Sequence, residues 1–240
     1  MPVMRLAKSA NKLGLLPRVL LDTASIPGSR ETLRLIQRGS EFSIMLGANE
    51  LMNSRLSGSE EALATLACAR ILPRPAPRIL IGGLGMGFTL RAALAVLPDD
   101  AEVEVAELVP AVVAWAQGPM AEHHGDSLTD LRTSILIADV ARLIRDGASG
   151  YDAILLDVDN GPDGLTKNAN DHLYSDFGLA RARTALRPGG VLAIWSASKD
   201  AKFVQRFERA GFAVEEEMVR ANKPKAGLRH VILLGTKTCF

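Results

Sequence analysis

The chain has 240 residues, enough for one α/β domain with a small appendage and a sizeable core. Hydrophobic and charged contents of 48% and 23% are ordinary for a globular protein, and a net charge of +1 argues against a strong overall field for nucleic acid or an anionic membrane. Neither cysteine, Cys68 or Cys239, has a partner at metal-ligand spacing, which argues against a zinc site or a disulfide framework and fits a reducing cytoplasm.

Residues 1–16 hold Arg5, Lys8 and Lys12 and read as a flexible basic arm or an oligomer contact. The apolar stretch from Leu13 to Leu21 is short and contains Gly14, Pro17 and Arg18, unlike a targeting segment. No run approaches the roughly 20 apolar residues of a membrane helix. Residues 17–56 predict a small antiparallel meander: RVLLDTA, ETLRLIQRG, EFSIMLG and NELMNSR are short strand-like runs divided by turn clusters.

From residue 57 to 240 the pattern changes to alternating strands and helices. SEEALATLACARIL has helical spacing, with Ser59 as the expected N-cap. RILIGG, EVEVAEL, RTSILIAD, YDAILLDV and GVLAIWS read as strands, each followed by a helix, and FAVEEEMVR with RHVILLGTK closes as an antiparallel hairpin. Repeated βα units predict an α/β fold with a mainly parallel, Rossmann-like sheet of the class I methyltransferase type.

The strongest local signal is the loop from Gly82 through Gly83, Leu84, Gly85 and Met86 to Gly87, running from a strand into a helix. Glycines there let backbone N–H groups approach a ligand, and the helix N-terminus adds partial positive charge. Glu107 ends the next strand, about 20 residues on, where an acid can accept both hydroxyls of an adenosine ribose. Leu108 adjoins it. The spacing of Gly83, Gly85 and Gly87 before bulky Phe88 suits a nucleoside with an amino-acid tail better than a pyrophosphate, and the absence of G-K-[ST] excludes a P-loop. Asp139 either accepts from an adenine amine or caps the helix that starts at Val140.

The candidate chemistry lies at Asp157 and Asp159, at the carboxyl end of the fourth βα strand, where open α/β sheets bind ligands. Carboxylates there bind a cationic amine, and one can take its proton so that nitrogen becomes a nucleophile. Asn160 to Asp171 reads as a lid. Asp152 falls at the opposite end of the strand and is left out of the site. His123, His124, His172 and His230 are expected at the surface, and Trp115 and Trp195 in packing roles.

The glycine loop, Glu107 with Val-Pro-Ala-Val-Val, Asp139, the Asp157 strand end and the later Leu-Arg-Pro-Gly-Gly together resemble the spermidine synthase family, the polyamine aminopropyltransferases, over roughly residues 17–236. The resemblance implies a methyltransferase-like fold and a cytoplasmic homodimer. It also implies decarboxylated S-adenosylmethionine as donor, a small-molecule amine as acceptor and no metal. It assigns Glu107 to the ribose, Asp139 to the adenine and Asp157 to the reacting amine. Three departures stand out. The family's loop aspartate, which meets the donor's ammonium, is replaced by Leu84, Gly85 and Met86. The family's lid reads roughly Asp-Ser-Ser-Asp-Pro, whereas here Asp157 is followed by Val158, Asp159, Asn160, Gly161 and Pro162. Its Tyr-His-Glu or Tyr-Gln-Glu becomes Ser59-Glu60-Glu61, in which only Glu61 matches and is expected, with Asn160, to contact substrate. Methyl transfer from intact S-adenosylmethionine and non-catalytic nucleoside binding stand as the alternatives.

Overall fold

The computed structural model describes residues 16–147, 150–158, 172–221 and 229–238. Two compact units meet at the Arg55–Leu56 boundary. The first holds β1 (Val19–Ser25), β2 (Thr32–Arg38), β3 (Glu41–Leu46) and β4 (Asn49–Asn53), an antiparallel sheet in that order. Alternation explains it: Leu33 and Leu35 of β2, with Phe42, Ile44 and Leu46 of β3, point to one buried face. Arg55 bridges Glu41 and Glu50 across the sheet.

The second unit contains a seven-stranded sheet. Its strands are β5 (Arg78–Gly82), β6 (Glu102–Glu107), β7 (Thr133–Ile137), β8 (Tyr151–Leu156), β9 (Leu186–Ser196), β10 (Phe212–Arg220) and β11 (Arg229–Lys237). The order is β10-β11-β9-β8-β5-β6-β7; the pairs from β9 to β7 are parallel, and β11 and β10 add on antiparallel. The fold is therefore α/β, with a Rossmann-like sheet and a closing hairpin in the second unit and a small antiparallel sheet in the first. Every residue of β8 is buried, as a central parallel strand covered on both faces requires. Strand order reverses between β8 and β5, so a crevice opens beyond their carboxyl ends.

The helices are α1 (Gly58–Ala69), α2 (Phe88–Leu94), α3 (Pro110–Gln117), α4 (Ala121–His124), α5 (Val140–Asp146), α6 (Asp176–Ala185) and α7 (Ala201–Arg209). Side-chain caps fix three of them: Asp139 accepts from Ala141 N, Ser175 from Gly178 N, and Asp200 from Lys202 N and Phe203 N. Leu179, Phe203 and Phe207 then pack with Ile154 and Ile194 in the core.

Three local expectations change. Ser59 does not cap α1: the Gly58 N–H docks on Ala221 O, the helix begins there, and Ser59 lies inside it, 1% exposed. Arg187-Pro188-Gly189-Gly190 does not separate α6 from its strand but forms the start of β9. His124 is not a surface residue; it ends a short helix and is fully buried. No described helix is long and apolar enough to cross a membrane.

The amino end of the sheet is closed by ions. Asp152, 1% exposed, accepts from Arg74 at 2.6 Å, Arg187 at 2.7 Å and the Arg78 amide at 2.9 Å. This ties the segment after α1 to β5, β8 and β9, at the end away from the crevice.

Candidate functional site

The strand ends β5, β6 and β8 bring the glycine loop, Glu107 and Asp157 together. Gly83 N donates to Ala106 O at 2.8 Å, and Asp157 N donates to Gly82 O at 3.1 Å, so the loop is stitched to both neighbours. Gly83 has φ +92°, and a Cβ there would lie 2.6 Å from Asp157 O. Only glycine permits both the left-handed backbone and that approach. Gly82 packs against Val140 and Leu156, Gly85 has φ +49°, and Gly87 enters α2 at φ +72°.

Glu107 is 8% exposed. Leu84 N donates to its Oε2 at 3.0 Å and Val109 N to its Oε1 at 2.8 Å. Burial pushes its carboxyl up, while the amides of Val109, Leu84, Gly85 and Leu108 hold it down. Glu107 thus fastens the loop to the end of β6, a task its spacing did not reveal. Leu108 and Ile137, at 40% and 51% exposure, leave apolar surface beside it. Asp139 is exposed and caps α5 through Ala141 N at 2.8 Å, so the capping role is present in the structure. Val140 is buried beneath Gly82.

Asp157 follows β8 directly and is partly buried. Thr89 Oγ1, on α2, donates to its Oδ2 at 2.6 Å. Burial first, and then the negative charge of Glu60, push Asp157 up to about 7, against the opposing pull of the Thr89 bond. Glu60 is likewise pushed up by burial and by Glu61, with the Ser59 bond opposing. Ser59 Oγ donates to Glu60 Oε2 at 2.6 Å and lies 2.9 Å from His230 Nδ1, whose ring meets Trp195 edge-on at 4.6 Å. A carboxyl poised near neutrality can bind an ammonium while ionised and then accept its proton, leaving a neutral amine.

Sequence reasoning singled out Asp157 but passed over Thr89 and Glu60. Thr89 carries no signal beyond lying two places after Gly87. Adjacent helical residues point about 100° apart, and only packing decides which of Glu60 and Glu61 is coupled to Asp157. Glu61 lies on α1 with its charge acting on Glu60 and Arg91. Asp159 and Asn160 lie outside the described residues. Among the described residues no group of three or more His, Cys, Asp or Glu side chains is placed to hold a metal. Burial pushes the Cys68 thiol up to about 12, which leaves it unreactive.

No family model matches the chain. The polyamine aminopropyltransferase of Saccharolobus islandicus (strain Y.N.15.51 / Yellowstone #2) is 31% identical over 127 residues, covering 53% of this chain and 41% of that protein. The polyamine aminopropyltransferase of Mycobacterium tuberculosis (strain CDC 1551 / Oshkosh) is 28% identical over 145 residues, 57% of this chain and 27% of that protein. The matched segments thus span less than half the length of these relatives. Among solved structures, a spermidine synthase in complex with the transition-state analogue AdoDATO superimposes with a TM-score of 0.68 at 17% identity, over 91% of this chain and 72% of its own. The spermidine synthase of Thermotoga maritima gives 0.65 at 16% identity, over 91% and 73%. In sequence the chain is thus similar over about half its length to polyamine aminopropyltransferases, and in fold it is similar to spermidine synthases.

Proposed function

We propose that the chain transfers an aminopropyl group from decarboxylated S-adenosylmethionine to a small-molecule amine. The observation that carries this reading is Asp157, a carboxyl raised to about 7 at the crevice end of β8 and tied to the glycine loop through Gly82 and Gly83. The relatives' name supports the reaction class.

The residues present fit the donor. Glu107 is a buried acid held by amides with no cation paired to it among the described residues, an environment suited to ribose hydroxyls. Leu108 and Ile137 offer apolar walls for a base, and Asp139 is exposed beside them. The loop backbone at Gly83 and Gly85 has no side chain to obstruct a nucleoside tail.

Asp157 takes a proton from the acceptor's ammonium, which frees the nitrogen lone pair. The lone pair forms a bond to the aminopropyl carbon attached to sulfur. The carbon–sulfur bond breaks, its electron pair goes to the sulfonium, and a neutral thioether leaves. The protein's work is orientation and proton acceptance, as the leaving group needs no acid. Glu61, with Asp159 and Asn160 after β8, belongs to the acceptor side in this reading. The same reading makes the protein a cytoplasmic homodimer, and a monomeric mass in light scattering would remove the dimer.

Calorimetric titration with decarboxylated and with intact S-adenosylmethionine tests the assignment. Tighter binding of the decarboxylated form, with transfer to a diamine, is the expected result. Tighter binding of the intact form would redirect the reading to methyl transfer, and binding of neither would remove the donor altogether.

A further inference from the structure

An aminopropyl donor carries a primary ammonium as well as its sulfonium, and in a cleft that ammonium needs an anionic partner. The glycine loop supplies none: Leu84 and Met86 are apolar and each is 4% exposed. Asp157 is committed to the acceptor in the reaction proposed above. Glu107 is fastened to the backbone of the loop and of β6. Glu60 remains.

Three features set Glu60 apart from an ordinary helix-surface acid. Among the described residues it makes no ion pair with any Lys or Arg, unlike Glu41, Glu50 and Glu104. Helix α1 packs against β8 and against α2, whose Thr89 bonds Asp157, and the charge of Glu60 acts on that acid. The Glu60 carboxylate is also held in place from behind. A serine hydroxyl has one proton to give; Ser59 spends it on Glu60 Oε2, so its oxygen accepts from His230 Nδ1 when Glu60 is ionised. The Trp195 ring against His230 limits the tilt of the imidazole. Helix α1 thus presents one carboxylate, backed by a bond to β11, toward a second carboxylate at the end of β8.

We propose that Glu60 binds the donor's primary ammonium, taking the place of an acid in the glycine loop, with Ser59 and His230 as positioning residues behind it. Two carboxylates then serve two nitrogens: Glu60 the one that is carried, Asp157 the one that attacks. This rests on the aminopropyl-transfer reading and adds to it the residue that selects the donor.

The test is a pair of titrations on wild type and Glu60→Gln, one with decarboxylated S-adenosylmethionine and one with methylthioadenosine. Methylthioadenosine has the nucleoside and the thioether but no ammonium, so it reports the fold and the ribose site of the variant. The expected result is a loss of about ten- to hundredfold for the decarboxylated donor in Glu60→Gln, with methylthioadenosine unchanged. His230→Phe keeps a ring against Trp195 and is expected to show the same selective loss, smaller in size. Equal loss for both ligands would make Glu60 structural and overturn the proposal. So would no loss for either, or a selective loss in Glu61→Gln instead of Glu60→Gln. A wild type that binds methylthioadenosine but does not favour the decarboxylated donor over the intact one would instead sink aminopropyl transfer. A second readout needs no donor: in the imidazole nitrogen spectrum His230 is expected as the Nδ1–H tautomer. Glu60→Leu, which releases the Ser59 proton toward Nδ1, is expected to shift it to Nε2–H. An unchanged tautomer would show that Ser59 does not link the two.

Discussion

At the residue scale the proposed transfer turns on one raised carboxyl. Asp157 ordinarily titrates near 3.8 and is pushed to about 7 by burial and by Glu60. A base must be ionised to act, so turnover is expected to rise with pH through about 7. Removing the charge of Glu60 lets Asp157 give up its proton more readily, so Glu60→Gln is expected to move this limb to lower pH. A limb that stays put would show that the two carboxylates do not communicate. The same shift has a stability consequence. The folded state holds a proton that the unfolded chain has already released between about pH 4 and 7, so this group's contribution falls as pH rises through that window. Asp157→Asn keeps a group for Thr89 to bond and abolishes the slope. Its urea midpoint is expected to overtake that of wild type increasingly from pH 5 to pH 8, while transfer falls by a factor of about 100 or more. A constant difference across pH would contradict the assigned cause.

At the element scale the glycine loop depends on what lies under it. A Cβ on Gly87 would sit 2.4 Å from His124 Nδ1, so the imidazole packs directly beneath the entry to α2. Both His124 ring nitrogens are buried without a partner among the described residues, and burial, His123 and Arg91 push the ring down to about 4. The unfolded chain takes up a proton near 6.5 that the folded chain refuses until about 4. Stability from this residue is therefore present above 6.5 and lost as pH falls toward 4. In urea titrations the wild-type midpoint is expected to fall over that range, and His124→Leu, which cannot charge, to fall less. Equal acid sensitivity would mean that the ring finds a proton acceptor. The sequence placed His124 in a polar segment after a helix. Its burial follows from a short helix and a turn that fold back under the loop, an arrangement without a periodic signature.

At the scale of the whole molecule, the second unit holds its two sheet ends differently. The amino end is locked by Asp152 with Arg74, Arg187 and the Arg78 amide, while the carboxyl end carries the loop and the raised acid. Asp152→Ala leaves Arg74 and Arg187 without their shared acid and is expected to cost about 3–5 kcal/mol in denaturant unfolding. A loss below about 1 kcal/mol would assign the amino end to apolar packing alone.

The strands and helices of the parallel sheet were legible in the sequence because short apolar or alternating runs such as Ile79 to Ile81 and Ala153 to Leu156 are divided by segments of helical period. Gly82 to Gly87, Glu107, Asp139 and Asp157 were legible because strand ends sit at fixed offsets from those runs. What the sequence determined by itself was therefore the α/β architecture and which residues stand at its strand ends. Tertiary structure alone decided that Ser59 sits inside α1 and bonds His230, 171 positions away. It also decided that Glu60 rather than Glu61 reaches Asp157, and that Thr89 holds Asp157 in place. The physical reason is one of range. Periodicity and capping are local, whereas the field of a carboxylate and the direction of a hydroxyl proton depend on which distant elements the fold has brought within a few ångströms.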